Sequence, residues 1–305
     1  MARENDLEWM PQVLGAAELW RDKCFYGDGA LFSDDPNEKL WTLDNIQELY
    51  DCLKNLKKKG KYWGKLAIQM KDKAPKIIKL QAEVMWMLRL FPIGKSIESN
   101  QHTKILVSTK QSDIRKIISW GGMSMPDTHL LSEQVLLGVG KPGPYYLNKI
   151  VFMQLFFLHL LCDWKALSDQ DRDQFKQNNA DTAWQFAEYC DQFLEGNLYE
   201  SSEALPLRHA LLFFLYPDYF ERIVSWGDKN KITRDYLKRL SDHQYSQFVN
   251  AGGFDTPLTV DKAIFEIRVE LERGHGIHQL DFYVGVLKDT WNKNDNKTPS
   301  KKQLK

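Results

Sequence analysis

Apolar residues recur at three- and four-residue spacing along most of this chain, and that periodicity confines it to helices. Glu8 to Arg21 and Thr42 to Leu56 carry the pattern. Thr42 is placed to cap its helix, although Asn45 stands where a Glu would complete a capping box. Pro75 suits the first turn of a helix running to about Leu90 (KIIKLQAEVMWMLRL), which Phe91-Pro92 closes. Thr103 to Ser119 repeats the pattern and ends at Gly121-Gly122. Further helices are expected at about 147–165, 168–177, 180–194, 205–216, 218–225 and 229–249. A last long one runs from Thr259 to Arg273, ended by Gly274 and Gly276. Alternating β-branched runs are scarce, and no hairpin signal stands out. The expected fold is mainly α: a multi-helix globular body in two helical lobes, with no substantial β-sheet.

Two breaks organise the helices. At Tyr216-Pro217-Asp218 the proline biases Tyr216 away from helical backbone, and Asp218 can cap a second helix. Phe220, Ile223 and Val224 would form the apolar face of that helix, with Glu221 and Arg222 on the other. Residues 120–146 hold five Gly and three Pro, the densest turn signal in the chain. The expected division is a lobe over 1–125, a Gly/Pro-rich connection over 126–146 and a second lobe over 147–291. The polar, Lys-rich 292–305 reads as a tail or linker.

Lys+Arg and Asp+Glu number 41 each, so no global field draws the chain to nucleic acid or membrane. The charge is segregated instead. Residues 1–53 hold twelve acids and four bases, 54–79 ten lysines and one acid, and 163–205 ten acids and three bases. Cys24, Cys52, Cys162 and Cys190 are scattered without metal-ligand or disulfide spacing, as suits free thiols in a reducing cytosol. The N-terminus lacks the apolar core of a secretory signal. The longest apolar run, Ile150 to Cys162, is too short to span a bilayer, which needs about 20 residues. A cytoplasmic location is expected, with no membrane contact.

Several motifs imitate chemistry without completing it. Gly94-Lys95-Ser96 resembles the end of a phosphate-binding loop, but Arg89 occupies the position of its first glycine and a helix precedes it. Gly138-Val139-Gly140-Lys141-Pro142-Gly143 puts Pro142 where a magnesium-binding hydroxyl belongs. It reads as a tight loop whose glycines permit positive φ. His275, His278 and Asp281 lie close in sequence but beside glycines that argue against a ligating helix. His209, inside an apolar helix, reads as a hydrogen-bonded core or interface residue. No nucleophile elbow or distinct carboxylate pair is present. No catalytic residue, cofactor or metal is expected. The best binding candidate is the Lys-rich segment 54–65. There Lys57, Lys58, Lys59, Lys61 and Lys65 surround Tyr62 and Trp63, pairing phosphate attraction with rings on which an unpaired base can stack. The competing reading is a solvated lysine loop with Trp63 folded onto the core.

A series of short motifs carries a resemblance. Trp20-Arg21-Asp22-Lys23-Cys24 with Gly27-Asp28-Gly29-Ala30-Leu31-Phe32 comes first, then Leu40-Trp41-Thr42 and Ala82-Glu83 through Phe91-Pro92. Ser119 to Gly122, Gly138 to Gly143, Leu207-Arg208-His209 and Tyr216-Pro217-Asp218 with Phe220 to Ile223 follow in order. Glu266-Ile267-Arg268 and Asp281-Phe282-Tyr283 close it. This order resembles the N-terminal helical region of modified-cytosine (McrB-like) restriction ATPases. It covers about residues 17 to 291. In that family such a module is usually followed by a modified-base reader and an AAA-type nucleotidase. Neither lies in these 305 residues, so the resemblance brings no nucleotidase activity here. It implies a non-catalytic recognition or assembly module of a restriction or phage-defence ATPase, contacting DNA in a modified-cytosine context, or a nuclease or ATPase subunit. The alternative expectation is a protein-interaction scaffold that binds no nucleic acid.

Overall fold

The computed structural model describes residues 8–54, 62–92, 94–95, 105–124, 128–140, 150–197, 201–237, 246, 256–275 and 280–292. The fold is mainly α, as expected. The described helices are α1 (Met10–Trp20), α2 (Leu43–Leu53), α3 (Tyr62–Met70), α4 (Pro75–Leu90), α5 (Val107–Trp120), α6 (Glu133–Leu136) and α7 (Ile150–Ala166). They continue with α8 (Asp169–Asp173), α9 (Ala180–Gly196), α10 (Ser201–Leu215), α11 (Trp226–Tyr236), α12 (Pro257–His275) and α13 (Gly285–Trp291). Strand structure among the described residues amounts to Gly94–Lys95 beside Ile105–Leu106, paired in parallel, and two isolated bridges.

The described residues fall into two compact units that divide between Ser225 and Trp226. The described part of the expected 126–146 connection, residues 128–140, belongs to the first unit, where α6 packs against α1, α4 and α5. Gly138 explains the glycine density. Its φ is +71°, and a Cβ there would sit 2.6 Å from the Leu90 carbonyl oxygen. The glycines let this backbone press against the end of α4, where Gly140 N–H donates to Phe91 O at 2.7 Å.

In the first unit, α4 is buried almost all round, and α2, α5 and α7 pack on it. Pro75 opens α4, and the Thr42 hydroxyl accepts from Asn45 N–H at the start of α2, both as the sequence indicates. An aromatic cluster fills the space beside α7. Phe25 stacks on Trp164 at 4.7 Å between ring centres, and Trp20 meets Trp41 edge to face. After α1 the chain widens into a π-helical turn, Arg21–Tyr26. Lys165, reaching in from α7, donates to the freed carbonyls of Cys24 and Gly27 and to Asp28.

The helix expected over 218–225 does not form. Tyr219 and Phe220 N–H groups both return to Tyr216 O, closing a turn after α10, and residues 221–225 run on without helix. Glu221 and Arg222 are buried rather than outward-facing. The Arg222 guanidinium donates to Val139 O at 2.9 Å, and the Val224 methyls lie against Gly140. Asp218 accepts from Asn178 instead of capping a helix. Tertiary contacts to 138–140 outweigh a weak local periodicity here.

In the second unit α11 packs on α12 and α13. Lys229 and Asp261 form a buried ion pair, and Tyr283 OH donates to Asp228 at 2.8 Å. The 229–249 helix begins earlier than expected, at Trp226, and α11 ends at Tyr236.

Candidate nucleic-acid interface

The candidate surface is built where α3 meets α5. Leu66 and Met70 anchor α3 from below, and Ile114, Ile117 and Ile118 anchor α5. The opposite sides of the two helices face outward. Trp63 on α3 and Trp120 at the end of α5 are half-buried, with ring centres 6.4 Å apart and planes at 69°. Lys116 lies one helical turn before Trp120 on the same face, and its Nζ sits 5.1 Å from the centre of the Trp63 ring. The exposed charges of α5 are Arg115 and Lys116; Lys110 and Asp113 are buried. Lys71, just after α3, and Lys76, in the first turn of α4, are exposed cations, with Asp72 the single acid between Lys65 and Lys79. Lys73 and Lys79 are engaged by Glu48 and Glu38.

Of the residues singled out from sequence, Lys57, Lys58, Lys59 and Lys61 lie outside the described residues. Tyr62 fixes the start of α3. Its hydroxyl donates to Gln154 Oε1 at 2.9 Å, and Gln154 in turn donates to Gln81. Trp63 is neither free in solvent nor folded wholly onto the core; it sits half-buried beside Tyr62, Lys116 and Trp120. Lys65 Nζ is enclosed with no hydrogen-bond partner, so this lysine does not offer its ammonium to a ligand in solution. Lys116 and Trp120 escaped sequence reasoning. The available signal was the four-residue spacing of a base and an aromatic in Arg115-Lys116-Ile117-Ile118-Ser119-Trp120.

Two strongly perturbed groups, Glu83 and Lys110, are sealed inside and hold the fold. Glu83 is fully buried and accepts from Leu31 N–H at 2.8 Å, Phe32 N–H at 2.7 Å and Trp41 Nε1–H at 2.5 Å. Burial pushes its pKa up to about 7, the three donors pulling the other way. This one carboxyl gathers the Gly27–Phe32, Leu40–Thr42 and Ala82–Trp86 motifs into a single knot. Lys110 is equally buried and donates to Pro92 O and Leu136 O. Burial, then the neighbouring Arg89, pushes its pKa well down. Arg89 donates to Asp113 at 2.6 Å, and Arg208 holds Asp191 through two bonds of 2.7 and 3.0 Å while touching His209. His209 is thus the buried, hydrogen-bonded residue expected.

Of the phosphate-loop imitations, Gly94 and Lys95 lie in the short pairing with Ile105–Leu106, and Gly138 to Gly140 pack against the end of α4. Ser96, Lys141, Pro142 and Gly143 are outside the described residues, as is His278. Among the described residues no group of three or more His, Cys, Asp or Glu is arranged to hold a metal ion, and no single helix is long and apolar enough to cross a membrane. No family model, curated protein or solved structure matches the chain.

Proposed function

We propose that this chain is a non-catalytic recognition module that contacts nucleic acid through the α3–α5 surface, within a modified-DNA restriction or phage-defence system whose nucleotidase and nuclease lie elsewhere. The observation that carries the proposal is the grouping of Trp63, Lys116 and Trp120, from helices far apart in sequence, with Arg115 exposed next to Lys116 on α5. Cations supply phosphate attraction by counterion release, and half-exposed indoles supply surface for bases. The ordered motif resemblance gives the restriction context. A cytoplasmic setting agrees with four free, buried thiols.

Fluorescence anisotropy with labelled DNA, plain and cytosine-modified, across a salt series tests it. Binding that weakens with salt and falls in Lys116→Glu is expected. No binding at low salt removes the proposal.

The alternative, an interaction scaffold without nucleic acid, draws on the charge segregation and on Ile68 and Val286, apolar side chains 75% and 81% exposed. Sedimentation at two salt concentrations discriminates, since a salt-insensitive monomer counts against it.

A further inference from the structure

The α3–α5 surface carries more than positive charge. A site that only follows a duplex backbone needs cations and no ring faces, because the paired bases of a duplex hide their faces in the stack. Here two indoles stand at the surface with planes crossed at 69°, so they present faces in different directions. Trp63 is braced on one edge by Tyr62, at 5.2 Å between centres, and Tyr62 is tied to the core through Gln154. Ring position is thereby set before any ligand arrives, which lowers the ordering cost of binding. Lys116 lies over the Trp63 ring on a long, exposed side chain that forms no salt bridge among the described residues. An incoming base can take the place of the ammonium on the ring, and the ammonium can swing to the phosphate of the same nucleotide. The cation–π contact is then exchanged for a stack and an ion pair.

We propose that this surface selects unpaired over paired nucleotides, with a base stacked on Trp63, Trp120 closing the side of the stack and Lys116 on the adjacent phosphate. The inference rests on the nucleic-acid reading above and adds the class of strand. Selection is sequence-tolerant, because every base has a stacking face.

The test uses the full chain and three labelled probes of about twelve nucleotides: a thymidine strand, an abasic strand with the same phosphates, and a blunt hairpin duplex. The thymidine strand is expected to bind at least about five-fold tighter than the other two, the lower range of one base–aromatic stack. Trp63→Ala removes that preference, bringing the thymidine strand to the affinity of the abasic strand. Trp63→Phe keeps part of it, and matching thermal melts show that the variants fold. Lys116→Gln lowers the salt slope for the thymidine strand by about one phosphate. Equal affinity for all three probes, or a thymidine preference untouched by Trp63→Ala, overturns the strand selection while leaving nucleic-acid contact intact. Failure of every probe to bind overturns both.

Discussion

Replacing Glu83 by Gln changes one atom at the centre of the first unit and leaves the shape unaltered. In the wild type, Glu83 Oε2 accepts from Leu31 N–H and Trp41 Nε1–H, and Oε1 from Phe32 N–H. An amide can keep its oxygen toward Leu31 and Trp41, but its NH2 then opposes the Phe32 N–H. Phe32 is buried, so water cannot accept in its place. One orphaned buried donor costs about 1–3 kcal/mol. The pH dependence is more telling. With its folded pKa raised to about 7 from 4.5, Glu83 binds its proton more tightly in the folded state. Its contribution to stability is fully present below the unfolded value and is lost as pH rises through the folded one. The change across that window is about 3 kcal/mol. Gln does not titrate. The wild-type advantage over Glu83→Gln should therefore shrink by about that amount between pH 5 and pH 8, read from urea midpoints followed by tryptophan fluorescence. Parallel profiles for the two proteins would refute the reasoning, and would mean that the three donors outweigh burial and keep Glu83 ionised throughout.

Gly138→Ala should lower the thermal midpoint sharply, because a Cβ must enter a left-handed conformation and press on the Leu90 carbonyl; calorimetry checks it. Lys229→Met should destabilise by about 3–5 kcal/mol by leaving Asp261 charged and buried, and Lys229→Met with Asp261→Leu should recover most of that in denaturant titrations. Arg208→Lys should cost about 1–3 kcal/mol, since an ammonium cannot reproduce the two-bond grip on Asp191, and the same titrations report it.

Most helices are readable from spacing and punctuation. Pro75, Thr42 and Gly121-Gly122 act locally, so their effects survive transfer from sequence to structure. The segment after Pro217 is not readable in that way. Phe220, Ile223 and Val224 are apolar because they are buried, and burial makes the same demand of an extended segment as of a helix. Glycine density over 120–146 signals unusual backbone, but it does not say whether that backbone separates two units or, as at Gly138, lets one element touch another. The site divides along the same line. Trp63 stands out beside its lysines, whereas Lys116 and Trp120 join it only when α5 folds against α3. Glu83 and Lys110 each sit among several charges on their helices, and only the structure shows that they are buried and supplies their partners.

Ultraviolet crosslinking of a short thymidine strand, followed by mass-spectrometric mapping of the modified peptides, asks the surface itself where it is touched. Crosslinks concentrated at Trp63 and Trp120, abolished by excess unlabelled strand, are the expected result. Crosslinks confined to the second unit, or spread evenly over both, would contradict recognition at the junction of α3 and α5.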